Sequence, residues 1–399
     1  MVSPAVEESG FELTRVVSSR RSGRRPARAK TVGALIDGKY RLERLIGKGA
    51  MGAVFEAHHE LLGRRVALKL IAEEHANNPD AARRFLNEAR AAAGIENEHV
   101  ARILDAARLE DGAPYMVLEM LEGEDLAQIL DRANARKEPL GVTKVVDWIL
   151  QAIEGLAEAH ALGIVHRDLK PANLFLARRR DGTSILKVID FGISKAASPL
   201  SADPSLTSTR ALLGSPVYMP PEQLRDARSV DARADIWSLG VVLYELLSGD
   251  LPFYADNVAD LFVAVLEGEV PSLRARRSDV PPDLEAVILR CLRREVAERH
   301  RDVAELAEAL APFGPVGSDA AVRRIRHLVE HASRPSRVSD APPRRRRSLV
   351  LGLVAAMALG AAAAFGLVES GVVSPPAGAA PARAQVSSAP LTAAGATAR

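Results

Sequence analysis

Between Tyr40 and Phe313 the apolar residues recur with two different periods, and the period changes once along the chain. In the first part they come in short runs, "YRLERLI", "GAVFEAHH", "RRVALKLI", "ARILDAARLE" and "APYMVLEML". Runs of that length, separated by turn residues, predict β-strands. Between the third and fourth lies "DAARRFLNEARAAAGI", which predicts a helix. After Gly123 the pattern turns helical. "TKVVDWILQAIEGLAEAHALG" repeats apolar residues at three and four, through Val146, Ile149, Ile153, Leu156 and Ala159. "ADIWSLGVVLYELLSG" does the same with Ile236, Leu239, Val242 and Leu243, and Gly249 stops it. The expectation is an α+β architecture in which a small β-rich part, 40–122, precedes a larger helical part, 123–313.

The flanks differ in kind. Residues 1–39 form an arm rich in arginine and serine, with no apolar period, and are expected to be disordered. The pair Arg20-Arg21 is not followed by the apolar run that a twin-arginine export signal needs. Residues 314–347 read as a polar, basic linker holding one short amphipathic candidate, "AAVRRIRHLVEHA", and ending in "PPRRRR". The segment 348–368 has no charged residue and is long enough to span a bilayer as a helix. Its many alanines leave a soluble helix open as the alternative. Arg344 to Arg347 abut its N-terminal end, and basic clusters stay on the cytoplasmic side. The tail 369–399, rich in proline and alanine, is expected outside, unfolded and without a sensor domain. This places the chain in the inner membrane as a single-pass protein with residues 40–313 in the cytoplasm.

Composition narrows the picture in two ways. The formal net charge of the 399 residues is +2, so nothing draws the chain as a whole to nucleic acid. A single cysteine, Cys291, excludes an intrachain disulfide.

The candidate chemistry lies in motifs that break the apolar pattern. "GIVHRDLKPANLF" sets His166, Arg167, Asp168, Lys170 and Asn173 in an apolar frame, either for chemistry or as a buried polar network. "IGKGAMGAVFEA" places Gly47, Gly49 and Gly52 between Ile46 and Val54, in a frame that lets a backbone approach a phosphate. Strand continues after these glycines, which argues against a dinucleotide-binding turn; a plain glycine hairpin stays open. Lys69 lies in the apolar run "RRVALKLI" and needs a partner unless it snorkels at a strand edge. Glu88, on the following helix, is the candidate. Asp190 ends the apolar run of "LKVIDFGIS", where a carboxylate either binds a divalent cation or caps a turn.

Taken in order, the glycine loop, "VALK", Glu88, "HRDLKPAN", "DFG", "GSPVYMPPE", "DIWSLG" and Arg299 in "AERHRD" resemble a protein kinase of the eukaryotic-like type found in bacteria. The resemblance covers about residues 40–313. It implies the two-lobe protein kinase fold, here followed by one C-terminal transmembrane helix, with ATP and Mg²⁺ (or Mn²⁺) as cofactors.

By that resemblance, Ile46, Gly47, Gly49, Gly52 and Val54 cover the nucleotide, and Lys69, held by Glu88, meets its phosphates. The adenine bonds the backbone from Glu119 to Leu121, beyond Leu118. Asn173 and Asp190 hold the metal, Asp168 orients the attacking hydroxyl, and Lys170 faces the γ-phosphate. The lysine two residues after Asp168 is similar to that of serine/threonine kinases, so the acceptors expected are protein Ser and Thr. Ser215 stands where the family usually has threonine, and Pro220 where it usually has alanine. Glu222 and Arg299 are expected to form a buried ion pair. Arg167 is expected to meet a phosphate on Thr207, Ser208 or Thr209, a loop that otherwise is simply rich in hydroxyls. Gly352, Ala356, Gly360 and Ala364 put small residues near one face of the span, leaving a homodimer open beside a monomeric anchor. A pseudokinase scaffold is the alternative function, and the complete set Lys69, Glu88, Asp168, Asn173 and Asp190 argues against it.

Overall fold

The computed structural model describes residues 31–49, 52–72, 76, 78–191, 216–226 and 230–332. Six strands form the first sheet: β1 (Leu35–Ile36), β2 (Tyr40–Gly49), β3 (Gly52–His59), β4 (Arg64–Ile71), β5 (Ile103–Arg108) and β6 (Pro114–Glu119). All pair antiparallel, in the order β1-β2-β3-β4-β6-β5. Strand β4 shows why one face becomes a core and the other a site. Val66, Leu68 and Leu70 are buried in the core of this lobe with Leu42, Phe55, Tyr115 and Val117. The intervening Lys69 belongs to the opposite face, whose Ile71 packs with Phe85, Ala89 and Met116.

Helix α1 (Pro79–Ala92) covers that second face. Asn78 caps it by accepting from the N–H groups of Asp80 and Ala81, at 2.9 and 3.2 Å. Its buried stripe of Ala82, Phe85, Ala89 and Ala92 carries Glu88 inward with it.

A short second sheet, β7 (Gly123–Asp125), β8 (Leu174–Arg178) and β9 (Ser184–Val188), begins the larger lobe. The helices there are α2 (Leu126–Arg136), α3 (Val142–Ala161), α4 (Pro221–Arg225), α5 (Arg233–Ser248), α6 (Val258–Glu267), α7 (Leu273–Arg276), α8 (Pro282–Cys291), α9 (Val303–Leu310) and α10 (Ser318–Ala332). Helices α3 and α5 form the centre of its core and are buried on most sides. A small sheet lobe followed by a larger helical lobe is the arrangement the sequence led us to expect.

Two boundaries differ from the sequence reading. The fold begins inside the expected arm 1–39: β1 pairs with β2, the Gly33 N–H donates to the Leu42 carbonyl at 2.7 Å, and the Tyr115 hydroxyl donates to Asp37 at 2.8 Å. A two-residue strand is too short to produce a period. Of the expected linker 314–347, residues 318–332 are helix α10, which packs on α3 and α9 with Ile325 wholly buried. The basic residues of its outer side hid that packing face. Among the described residues no helix is long and apolar enough to cross a membrane. The expected span 348–368, with its small-residue face, and the tail 369–399 lie outside the described residues.

Candidate active site

Strand β4 and helix α1 bring Lys69 and Glu88 together across the second face of the first sheet. Lys69 Nζ lies 3.8 Å from Glu88 Oε1 and donates to Asp190 Oδ1 at 2.8 Å. Its side chain is only 14% exposed. Burial works against the charge, but the Asp190 and Glu88 carboxylates outweigh it and hold the ammonium above the usual lysine range. The cleft works against ionisation of Asp190 as well, and the Lys69 ammonium overcomes it, keeping the carboxyl below its usual range. The buried lysine is therefore a charged group held by two carboxylates, one from each lobe.

The stretch 166–173 is both things its sequence allowed: a polar network and a set of chemical groups. Asp235, wholly buried near the start of α5, accepts from the backbone N–H groups of His166 and Arg167, both at 2.9 Å. His160 Nε2 approaches the same carboxylate at 2.7 Å. Despite the cost of burial, these partners keep the Asp235 carboxyl below its usual range. One side chain thus fixes the backbone immediately before Asp168. His166 completes the lock. Its Nε2 lies 3.1 Å from the Ile189 carbonyl, so the proton sits there, and Nδ1 accepts from the Asp168 N–H at 3.3 Å. Burial keeps this imidazole neutral. Its ring lies against Phe191, 4.7 Å between centroids. His166 therefore ties the backbone of Asp168 to that of Ile189, next to Asp190.

Asp168 is oriented in turn by its neighbours. Lys170 Nζ donates to Asp168 Oδ2 at 3.2 Å. Asn173 Nδ2 donates to the Asp168 carbonyl at 2.7 Å and to Oδ2 at 3.3 Å. With its NH₂ group so engaged, Asn173 has its amide oxygen as the group for a cation. The Asn173 carbonyl accepts from the Ile189 N–H at 3.0 Å, which ties the strand leading to Asp190 to the same loop. Arg167 and Asp190 both adopt left-handed backbone, with φ of 64° and 55°.

The three glycines at the end of β2 and the start of β3 are not equivalent. At Gly52, φ is +153° and a Cβ would stand 1.9 Å from the Leu70 carbonyl oxygen, so the fold itself requires glycine. At Gly49 a Cβ would meet nothing within 4 Å, and at Gly47 only the Val54 Cβ at 3.9 Å. No close contact in the described structure demands glycine at these two positions.

At the connection between the lobes, the Glu119 carboxylate is taken up internally. It accepts from Lys187 Nζ at 2.7 Å and from the Arg102 N–H at 2.8 Å. At 119–121 the backbone is thus what stays available to a ligand, while the Glu119 carboxylate is engaged within the protein. In the larger lobe Arg299 donates to both oxygens of Glu222 at 2.7 Å, as the motifs implied. It also donates to the carbonyls of Arg293, Arg233 and Arg294 and lies over the Trp237 ring at 5.1 Å. Glu222 is thereby held in the first turn of α4. Gly192, Ser215 and the segment with Thr207, Ser208 and Thr209 lie outside the described residues.

The motifs missed Asp235, Lys187 and the part played by His166. The signal for Asp235 was a carboxylate inside the helical, otherwise apolar "ADIWSLG". For Lys187 it was a lysine between the apolar Leu186 and Val188.

A family model described as Protein kinase domain matches residues 40–309. The chain belongs to the protein kinase family. Membership implies use of ATP and a divalent metal. Among curated relatives, the kinase is 38% identical over 278 residues to the serine/threonine-protein kinase pkn3 of Myxococcus xanthus, covering 69% of this chain and 50% of that protein. It is 35% identical over 272 residues to the serine/threonine-protein kinase PknB of Mycolicibacterium smegmatis, covering 67% and 42%. The chain thus spans half or less of the length of these relatives. Among solved structures, the Mycobacterium tuberculosis PknI kinase domain aligns with a TM-score of 0.54 and 27% identity, covering 71% of this chain and 99% of that one.

Proposed function

We propose that this chain transfers the γ-phosphate of ATP to Ser and Thr hydroxyls of proteins, its own activation segment included, as a membrane-anchored signalling kinase. The observation that carries the reading is the arrangement around Lys69. Its ammonium is held between Asp190 and Glu88, and Asp190 is tied through Ile189 and His166 to the loop of Asp168.

The residues fit a metal-bound nucleotide. Asp190 offers a carboxylate and Asn173 an amide oxygen, a partial set of the kind Mg²⁺ accepts when phosphates and water complete its shell. When bound, the metal would neutralise charge on the phosphates. Lys69 binds their oxygens from the other side. Asp168, held by Lys170 and Asn173, orients the acceptor hydroxyl and takes its proton, while Lys170 offsets charge on the phosphate being transferred. The electrostatic work is set up before substrate arrives, because the groups are already locked by hydrogen bonds.

Arg167 is fixed by its backbone to Asp235, on the stretch beside Asp168. A phosphate on Thr207 or Thr209 would gain charge-assisted bonds to its guanidinium and order the activation segment. The active full-length kinase, incubated with ATP and mapped by mass spectrometry, is expected to carry phosphate at one of these residues. A fully active protein with an unmodified segment would rule this out.

The membrane part of the reading rests on 348–368 and on Arg344 to Arg347. A tag after Arg399 is expected to be cut by protease added outside spheroplasts, with the kinase domain protected. Cutting from the cytoplasmic side alone reverses the orientation. A homodimer through the small-residue face would bring one activation segment to the other active site.

A further inference from the structure

Helix α10 lies beyond the residues that match the family, and from it a half-exposed arginine reaches a buried carboxylate on α3. Arg324 donates from Nε to Glu154 Oε1 at 2.6 Å and from Nη2 to Oε2 at 2.8 Å. This is a two-bond fork onto a carboxylate that is only 9% exposed, at the middle of α3. On its other side Glu154 meets the chain segment 96–100. His99 Nε2 lies 3.9 Å from Glu154 Oε2, and Asn97 Nδ2 points at the Glu154 carbonyl at 3.4 Å. One turn further along α3, Glu158 accepts from the Glu96 N–H at 2.7 Å and from Asn97 Nδ2 at 3.1 Å. The contact is tight: a Cβ on Gly155 would stand 3.0 Å from the His99 carbonyl oxygen and from Val100 Cγ2.

Segment 96–100 joins the two halves of the site. It follows the end of α1, the helix that carries Glu88 to Lys69. It also docks on the strand that leads to Asp190: the Val188 N–H donates to the His99 carbonyl at 2.7 Å, and the Ala101 N–H to the Val188 carbonyl at 3.0 Å. The segment is thus bonded to the strand that leads to Asp190 and continuous with the helix of Glu88, and Lys69 lies between those two carboxylates.

We infer that Arg324 is a positioning residue for nucleotide binding: by fixing Glu154, it holds segment 96–100 on α3 and so sets the place of Glu88 opposite Lys69. Without the guanidinium, the Glu154 carboxylate keeps only His99, at 3.9 Å, as an ion-pair partner among the described residues. It is then drawn toward water, and the segment packed on it loses its seat. The inference rests on the nucleotide-binding reading of the Lys69 site.

The test uses the full-length chain in membranes or detergent, with a non-hydrolysable ATP analogue as probe. Its Kd is measured beside the melting temperature and the amide hydrogen exchange of residues 86–100. Arg324→Ala is expected to weaken binding about fivefold or more and to speed exchange in that segment. Arg324→Lys, which keeps the charge but loses the fork, is expected to fall between. The exchanged pair Glu154→Arg with Arg324→Glu is expected to recover most of the loss. An unchanged Kd in Arg324→Ala overturns the inference, with or without a fall in melting temperature. So does an exchanged pair that folds and binds no better than either single variant. If Arg324→Ala or the exchanged pair fails to fold, Arg324→Lys decides: normal affinity and normal exchange overturn it. A wild-type chain that binds the analogue but transfers no phosphate would sink the kinase reading and leave this one standing.

Discussion

Asp168→Asn and Asp190→Asn are each expected to abolish most phosphate transfer, by about 10²-fold or more, in a chain that still folds. The magnitude follows from the loss of a group that acts in the transition state. The two variants fail for different reasons. Asp168→Asn puts an amide where a hydroxyl must be oriented and its proton accepted, and it removes the charge that Lys170 and Asn173 hold in place. Asp190→Asn removes the carboxylate proposed for the metal and the 2.8 Å partner of Lys69, leaving Glu88, at 3.8 Å, as its ion-pair partner among the described residues. Nucleotide affinity should therefore fall more in Asp190→Asn than in Asp168→Asn. Purified full-length protein is assayed with labelled ATP and a Ser/Thr-rich acceptor, with melting curves as the folding control. Near wild-type turnover in either variant removes that residue from the assignment.

Arg299→Met destabilises the domain by about 3–5 kcal/mol, the usual cost of removing one member of a buried pair. Arg299 has no exposed side-chain surface, and Glu222 is 19% exposed, so solvent can do little for the carboxylate left behind. Three backbone carbonyls also lose their donor. For a domain of this size each kcal/mol is worth roughly 2–4 °C of melting temperature, so a fall on the order of 10 °C is expected. Arg299→Lys restores charge but not the two-bond fork, and should recover only part of it. A fall of under 2 °C in Arg299→Met would show that the pair holds little of the fold together.

The lobes and most of the site were legible in the sequence because they rest on local patterns. Strand β4 alternates faces, so Lys69 stood out in an apolar run; α3 and α5 keep a helical period throughout. Glu222 and Arg299 are 77 residues apart but sit in motifs that name each other by resemblance. What was not legible depends on distance. Asp235 serves a loop some 68 residues earlier, and no period marks a helix residue that turns its carboxylate to another element's backbone. The role of Arg324 lies 170 residues from its partner, in a segment whose arginines made it look like solvated linker. Strand β1 exists only because β2 offers it an edge.

Two residues of the site, Arg167 and Asp190, sit in left-handed backbone that costs an ordinary side chain roughly 1–2 kcal/mol. Asp235 and Lys69 hold them there. The site is thus a spring kept wound from both lobes, and selection on heat resistance alone would let it unwind. In a library of variants screened only for survival at high temperature, glycine and asparagine should accumulate at these two positions. Each enriched clone would melt later than its parent and turn over more slowly.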